Sequence, residues 1–254
     1  MTTTARRLPD GPAAPGFRLN RTQLKYIAIL AMVLDHFAFL FLPPASVPYQ
    51  VFRFLGRCTG PIMAYFVAEG VYYTRDLDAY LRRLGFFALA SWPVYTWAFF
   101  GHLPIYQKAG FWTLDPTQGV ISTLFLGAMA IVYWEDRARS KYARMASVAV
   151  LVFASIICDH VVVGVLWPLW FHLYRDDPGK KWGMYAVGVG ILLLTSWHGW
   201  AESAYMAGYV LAPILLSRYD GTAGRGNRWF FYWFYPGHLL ALGAAVRAAV
   251  GTWG

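Results

Sequence analysis

The chain has 254 residues, of which 58% are hydrophobic and only 14% charged, with a formal net charge of +9. Soluble domains typically hold about 45–50% apolar and about 25% charged residues, so an ordinary soluble enzyme is excluded. A mean hydropathy of +0.40 with 12 Trp and 17 Tyr fits an all-α, polytopic transmembrane helix bundle with aromatic interface belts, and two cysteines, Cys58 and Cys158, are too few for a disulfide framework or a cysteine-built zinc site.

Residues 1–23 carry Pro9, Gly11, Pro12, Pro15 and Gly16 and read as a disordered cytoplasmic tail. Residues 24–254 read as a single domain. No small-residue cleavage site accompanies the first apolar segment, which is therefore expected to be a retained helix and not a signal peptide. Apolar segments are expected at about 24–42, 58–73, 84–101, 117–134, 145–158, 160–174, 183–197, 203–217 and 229–248, about nine helices in all. A span of ~30 Å needs about 20 residues at ~1.5 Å each, and the four segments between 145 and 217 are shorter. The pair around Cys158-Asp159-His160 reaches only ~21 Å per segment. It is read as two short central spans or a re-entrant hairpin.

Basic residues alternate between the loops. The tail and first helix entry hold Arg6, Arg7, Arg18, Arg21 and Lys25; later loops add Arg75, Arg82 and Arg83, then Arg137, Arg139, Lys141 and Arg144. Arg175, Lys180 and Lys181, then Arg218, Arg225 and Arg228, complete the same side, leaving Arg53, Arg57, Lys108 and Arg247 for the other. By the positive-inside bias the N-terminus is cytoplasmic, and nine spans would put the C-terminus outside. The positive charge is thus topological. There is no Cys/His metal pattern, glycine-rich phosphate loop or RNA-binding motif, so neither a metal nor a nucleic-acid partner is expected.

Titratable side chains inside a span are costly and usually face a cavity or a partner. Asp35-His36 lies ~18 Å along the first helix from Leu24, where His36 is a candidate general base. Neighbouring helical positions point about 100° apart, so Asp35 need not bond His36. Arg57 lies near the outer face, where a long side chain can also snorkel to water. Glu69, ~7 Å from the inner end, needs a partner such as Lys25 or Arg75, or a ligand. In the last helix, Tyr235-Pro236-Gly237-His238 predicts a kink with exposed carbonyls. His238 sits ~14 Å deep, compatible with His36 in one polar chamber; the alternative is a structural histidine bonded to a freed carbonyl. Asp159 occupies a tight turn, where capping competes with chemistry.

These residues give the chain its resemblance to the TraX family, from about Leu24 to Leu240. The stretches that carry it are Leu24-Lys25-Tyr26-Ile27-Ala28-Ile29 with Met32 and Asp35-His36, then Gly56-Arg57, Pro61-Ile62, Glu69-Gly70 and Thr74-Arg75. Tyr80, Arg83-Leu84, Thr123-Leu124, Gly127, Asp159 and Gly164-Val165 follow, and Tyr219-Asp220-Gly221 with Phe231-Tyr232 to His238-Leu239 closes the set. The chain departs at Gly119, where the family pattern has Asn, at His160 in place of Tyr, and at Asp220 in place of Asn. More distantly, Lys25 and His36 are similar in spacing to the Arg, ten residues, His pattern of a wider group of membrane acyltransferases.

The resemblance implies a membrane-bound N-acetyltransferase that takes acetyl-CoA from the cytoplasm and passes the acetyl group to a conjugative pilin, or to another acceptor in or across the bilayer. Lys25, Arg75 and Arg83 would hold the coenzyme; His36 would be the base, with Asp35 tuning its field and Arg57 or His238 as an oxyanion or acceptor-positioning group. Arg57, Glu69, Tyr235 and Asp159 would position substrate. Direct attack, without an acyl-enzyme, is expected. The same chemistry on a lipid, sugar or small molecule stays open. So do a proton-coupled transporter using Asp35, His36 and Glu69, and a non-catalytic pilus-assembly scaffold.

Overall fold

The structure, a computed structural model, describes residues 17–196, 198–199 and 203–250. Residues 1–16 of the expected tail lie outside the described residues. Packing begins at Leu19, which is buried and bridges Tyr219, and the first helix begins three residues earlier than expected. Asn20 and Gln23 explain that start. The Asn20 side chain accepts from the Gln23 amide, and the Gln23 side chain accepts from the Asn20 amide, a reciprocal capping box.

In chain order the helices are α1 (Arg21–Phe41), α2 (Val47–Gly56), α3 (Thr59–Tyr73), α4 (Leu77–Phe100), α5 (Val120–Glu135), α6 (Lys141–Ala154), α7 (Val163–Leu173), α8 (Pro178–Ser196), α9 (Leu211–Leu216) and α10 (Arg228–Val250). The all-α bundle matches the expected class. Two parts differ from it. Strands β1 (Ile105–Lys108) and β2 (Phe111–Leu114) form an antiparallel hairpin between α4 and α5. Its two-residue loop, Ala109-Gly110, has positive φ at both positions, as the right-handed twist of a short hairpin requires. The expected 203–217 helix is a 3-10 stretch, Ala204–Val210, that continues as α9.

Helix α7 is the centre of the bundle. It is apolar on every side and nearly all buried, the pattern of a helix surrounded by others. Both α3 and α5 pack on it; α1 packs on α2, α3 and α10, and α4 on α5 and α10. Trp167 of α7 is fully buried against the Tyr185 ring of α8, and a side chain at Gly188 would collide with its indole.

One end of the bundle gathers the start of α1, the ends of α3, α5 and α7, and the start of α6. Arg21 reaches Glu69, Arg175 lies 4.1 Å over the Tyr72 ring, His172 lies 3.5 Å from Glu135, and Arg144 donates to the Trp134 carbonyl. At the other end Asp159 donates its amide to the Gln118 carbonyl, and Arg247 stacks on Trp97 at 3.7 Å. Among the described residues one helix, Arg21–Phe41, is long and apolar enough to cross a membrane; Val120–Glu135, Val163–Leu173 and Ala204–Leu216 are apolar but shorter.

Candidate functional site

Asp35 and His36 are consecutive on α1 and face different neighbours. The Asp35 carboxylate takes Arg53 Nη1 at 2.7 Å on one oxygen and Arg57 Nη2 at 2.6 Å on the other. The arginines are four apart on α2, hence on one face. Helix α2 approaches closely because position 56 is glycine; a Cβ there would run into the Asp35 side chain. Both guanidiniums also lie over Tyr205, at 4.8 and 5.1 Å. The result is a buried, internally paired cluster. Arg57 is therefore spent on Asp35 and not free at the outer face, and Asp35 bonds the two arginines and not His36.

His36 instead meets His238 of α10, Nδ1 to Nε2 at 2.8 Å, with the two rings nearly parallel. Hydrogen-bond logic assigns the protons. His238 Nδ1 lies 2.9 Å from the Phe234 carbonyl, which only accepts, so that nitrogen carries the hydrogen. In a neutral ring its Nε2 must then accept, so His36 Nδ1 donates. The lone pair of His36 is left on Nε2, and no hydrogen bond meets that atom among the described residues. The carbonyl that His238 uses belongs to Phe234, whereas the one Pro236 deprives of its usual amide donor is Tyr232.

A cavity of about 360 Å³ runs between α1, α3, α4, α5 and α10. Arg21, Lys25, Glu69 and Arg83 line its mouth, at the end of the bundle where α1 begins. Apolar walls follow, among them Ile29, Met32, Val67 and Leu124, and the inner end is closed by Val120, Ile121 and Tyr235. His36 does not line it. The Tyr235 ring stands between, edge-on to His36 with centroids 6.5 Å apart.

At the mouth, Glu69 accepts from Arg21 at 2.8 Å and from the Tyr219 hydroxyl at 3.0 Å. Its partner is thus neither Lys25 nor Arg75. The Lys25 ammonium sits over the Phe66 and Phe231 rings, with no carboxylate in ion-pair range among the described residues. Arg83 keeps a buried Nε without a partner. Arg75 is exposed and does not line the cavity, although its neighbour Thr74 does.

Asp159 is likewise apart from it. Its carboxylate accepts from the Tyr95 hydroxyl at 2.9 Å and its carbonyl from the Thr123 hydroxyl. The turn around it is strained, with positive φ at His160 and at the β-branched Val162. Residues of the site that the sequence reading passed over are Arg21, Arg53 and Tyr219. Spacing carried a signal for two of them: Arg53 lies one turn before Arg57, and Arg21 one turn before Lys25.

A family model described as TraX protein matches residues 20–246. A relative in Dichelobacter nodosus, named probable fimbrial assembly protein FimC, serogroup H1, is 34% identical over 233 residues, 88% of this chain and 94% of that protein. The chain belongs to the TraX family. The TraX match begins at the α1 cap residue Asn20 and contains every residue of the cavity and of the histidine pair. No solved structure matches the chain.

Proposed function

We propose that the protein is an integral membrane acetyltransferase that moves an acetyl group from acetyl-CoA to the N-terminal amine of a pilin. The observation that carries this reading is the cavity. It has a cationic mouth, an apolar shaft and an inner end one aromatic ring away from an imidazole whose Nε2 lone pair is free. Phosphates suit the mouth, where among the described residues Lys25 has no carboxylate partner and Arg83 has an unpaired N–H. The mainly apolar shaft suits a slender arm carrying a thioester inward. The TraX family and the fimbrial assembly name of the relative support a pilin as acceptor.

Large apolar side chains on outward faces support insertion in the bilayer: Leu194 of α8 is 88% exposed, Phe153 of α6 73% and Leu89 of α4 65%. The basic loops gather at the end of the bundle that holds the cavity mouth. By the positive-inside bias that end faces the cytoplasm, where acetyl-CoA is found, and the protein is a multi-pass inner-membrane one.

In the reaction, the amine nitrogen attacks the thioester carbon and its proton passes to His36 Nε2. The C–S bond then breaks, and the leaving thiolate takes that proton to depart as the coenzyme thiol. His238 holds the His36 ring in the tautomer that leaves Nε2 basic. Asp35 fixes α2 against α1 and so fixes the register of His36. A second reading, an assembly protein without catalysis, is favoured by the relative's name alone. Intact-mass spectrometry of mature pilin from cells with wild-type protein or His36→Ala separates the two. The enzyme reading expects an acetyl increment that His36→Ala loses while the variant still inserts. The scaffold reading expects no acetyl group in either and normal pili in both.

A further inference from the structure

The inner end of the cavity has a feature that neither the histidine pair nor the mouth explains. Tyr235 is 3% exposed, and its hydroxyl makes no hydrogen bond of normal geometry among the described residues. A buried, unmatched hydroxyl is costly, and such groups are rare unless a ligand or a function claims them. This one sits over the first residues of α5, its oxygen beside the Val120 amide without closing a hydrogen bond of normal geometry.

Helix α5 has 16 residues and begins at Gly119 without a side-chain cap. The Val120 and Ile121 amides precede the first intrahelical bond and remain as donors, at the positive end of the helix dipole. Val120, Ile121 and Tyr235 together line the inner end of the cavity. Position 119 keeps this arrangement open: any Cβ there would strike the Tyr235 hydroxyl and the Tyr95 ring. A glycine at this cap sacrifices capping by its own side chain and admits a phenol in its place.

We propose that the Tyr235 hydroxyl and the α5 N-terminal amides form the oxyanion cradle that receives the thioester carbonyl of the acyl donor. The inference rests on the acetyltransferase reading and adds to it the group that stabilises the tetrahedral intermediate. As the amine nitrogen bonds to the carbonyl carbon, the C=O π pair moves onto oxygen, where Tyr235 O–H and the α5 amides donate to it. When the pair returns, the C–S bond breaks and the coenzyme leaves as the thiol, with the proton taken from the amine by His36. The Tyr235 ring also contacts His36, so one residue joins the cradle to the base.

The test combines stability, turnover and vibrational spectroscopy. Tyr235→Phe removes an unpaired group, so its thermal unfolding in detergent is expected to equal or exceed that of wild type. Its kcat is expected to fall by about 10²–10³, the usual cost of one oxyanion donor, with the KM for acetyl-CoA little changed. In a His36→Ala background, which leaves the thioester intact, acetyl-CoA labelled with ¹³C at the carbonyl should show a stretch shifted below that in buffer, a shift that His36→Ala/Tyr235→Phe reduces. Loss of stability in Tyr235→Phe, or a carbonyl shift indifferent to Tyr235, overturns the cradle and leaves the acetyltransferase reading standing. Failure of acetyl-CoA to bind overturns both.

Discussion

Asp35 and His36 are neighbours in sequence and opposites in structure. Each Asp35 oxygen is held by one guanidinium, and the Tyr205 ring lies over both guanidiniums. His36 has one nitrogen engaged and one left free. A saturated buried charge is a device for holding α2 on α1, whereas an unsaturated buried base is a device for chemistry. Burial alone does not tell the two apart; the count of remaining partners does. The same contrast recurs at the mouth, where Glu69 is satisfied by Arg21 and Tyr219 while Lys25 lies over two rings with no carboxylate in ion-pair range among the described residues.

The contrast is sharpened by substitutions that should separate function from stability. The largest effect is expected at His36→Gln, whose amide can still donate to His238 but offers no base: turnover falls by about 10²–10⁴ with a smaller loss of stability than at its neighbour. At that neighbour, Asp35→Asn leaves two buried guanidiniums without a counter-charge. It is expected to cost about 3–5 kcal/mol in denaturant unfolding in detergent; an Asp35→Asn protein as stable as wild type would break the assignment of a structural role.

Lys25→Ala comes next. It is expected to weaken acetyl-CoA binding by about 1.5–3 kcal/mol, the range for a hydrogen bond to a charged group, as read by titration calorimetry. His238→Gln, which changes the partner holding the His36 tautomer, is expected to raise the barrier by about 0.5–1.5 kcal/mol in steady-state assays. Arg75→Ala is the control, within about 0.5 kcal/mol in both stability and coenzyme affinity, because the side chain is exposed and does not line the cavity.

Much of this was legible in the sequence, and the gaps have physical causes. The helical class followed from composition, and depth arithmetic along α1 and α10 put His36 and His238 at compatible levels, where they now meet. Helix α2 was not legible. It has only ten residues and carries Arg53 and Arg57, so its segment reads as an outer loop until Gly56 is seen to admit Asp35. The partner of Glu69 was missed because Arg21 had been counted with the basic tail, although it begins α1. The hairpin was missed because its turn is Ala109-Gly110, a weaker signal than Asn-Gly. Asp159 shows a different limit: sequence marked it as a turn residue or a reactive one, and only Tyr95, from another helix, shows it is held in the turn.

The central claim is that an acyl donor enters from the basic end and brings its thioester to the wall between Tyr235 and His36. An experimental structure of His36→Ala with acetyl-CoA tests it most directly. Density for the coenzyme phosphates at Lys25 and Arg83, with the arm along the shaft and the acetyl carbon beside Tyr235, is the predicted result. Coenzyme bound elsewhere on the protein, with the cavity filled by lipid or by side chains, would contradict it.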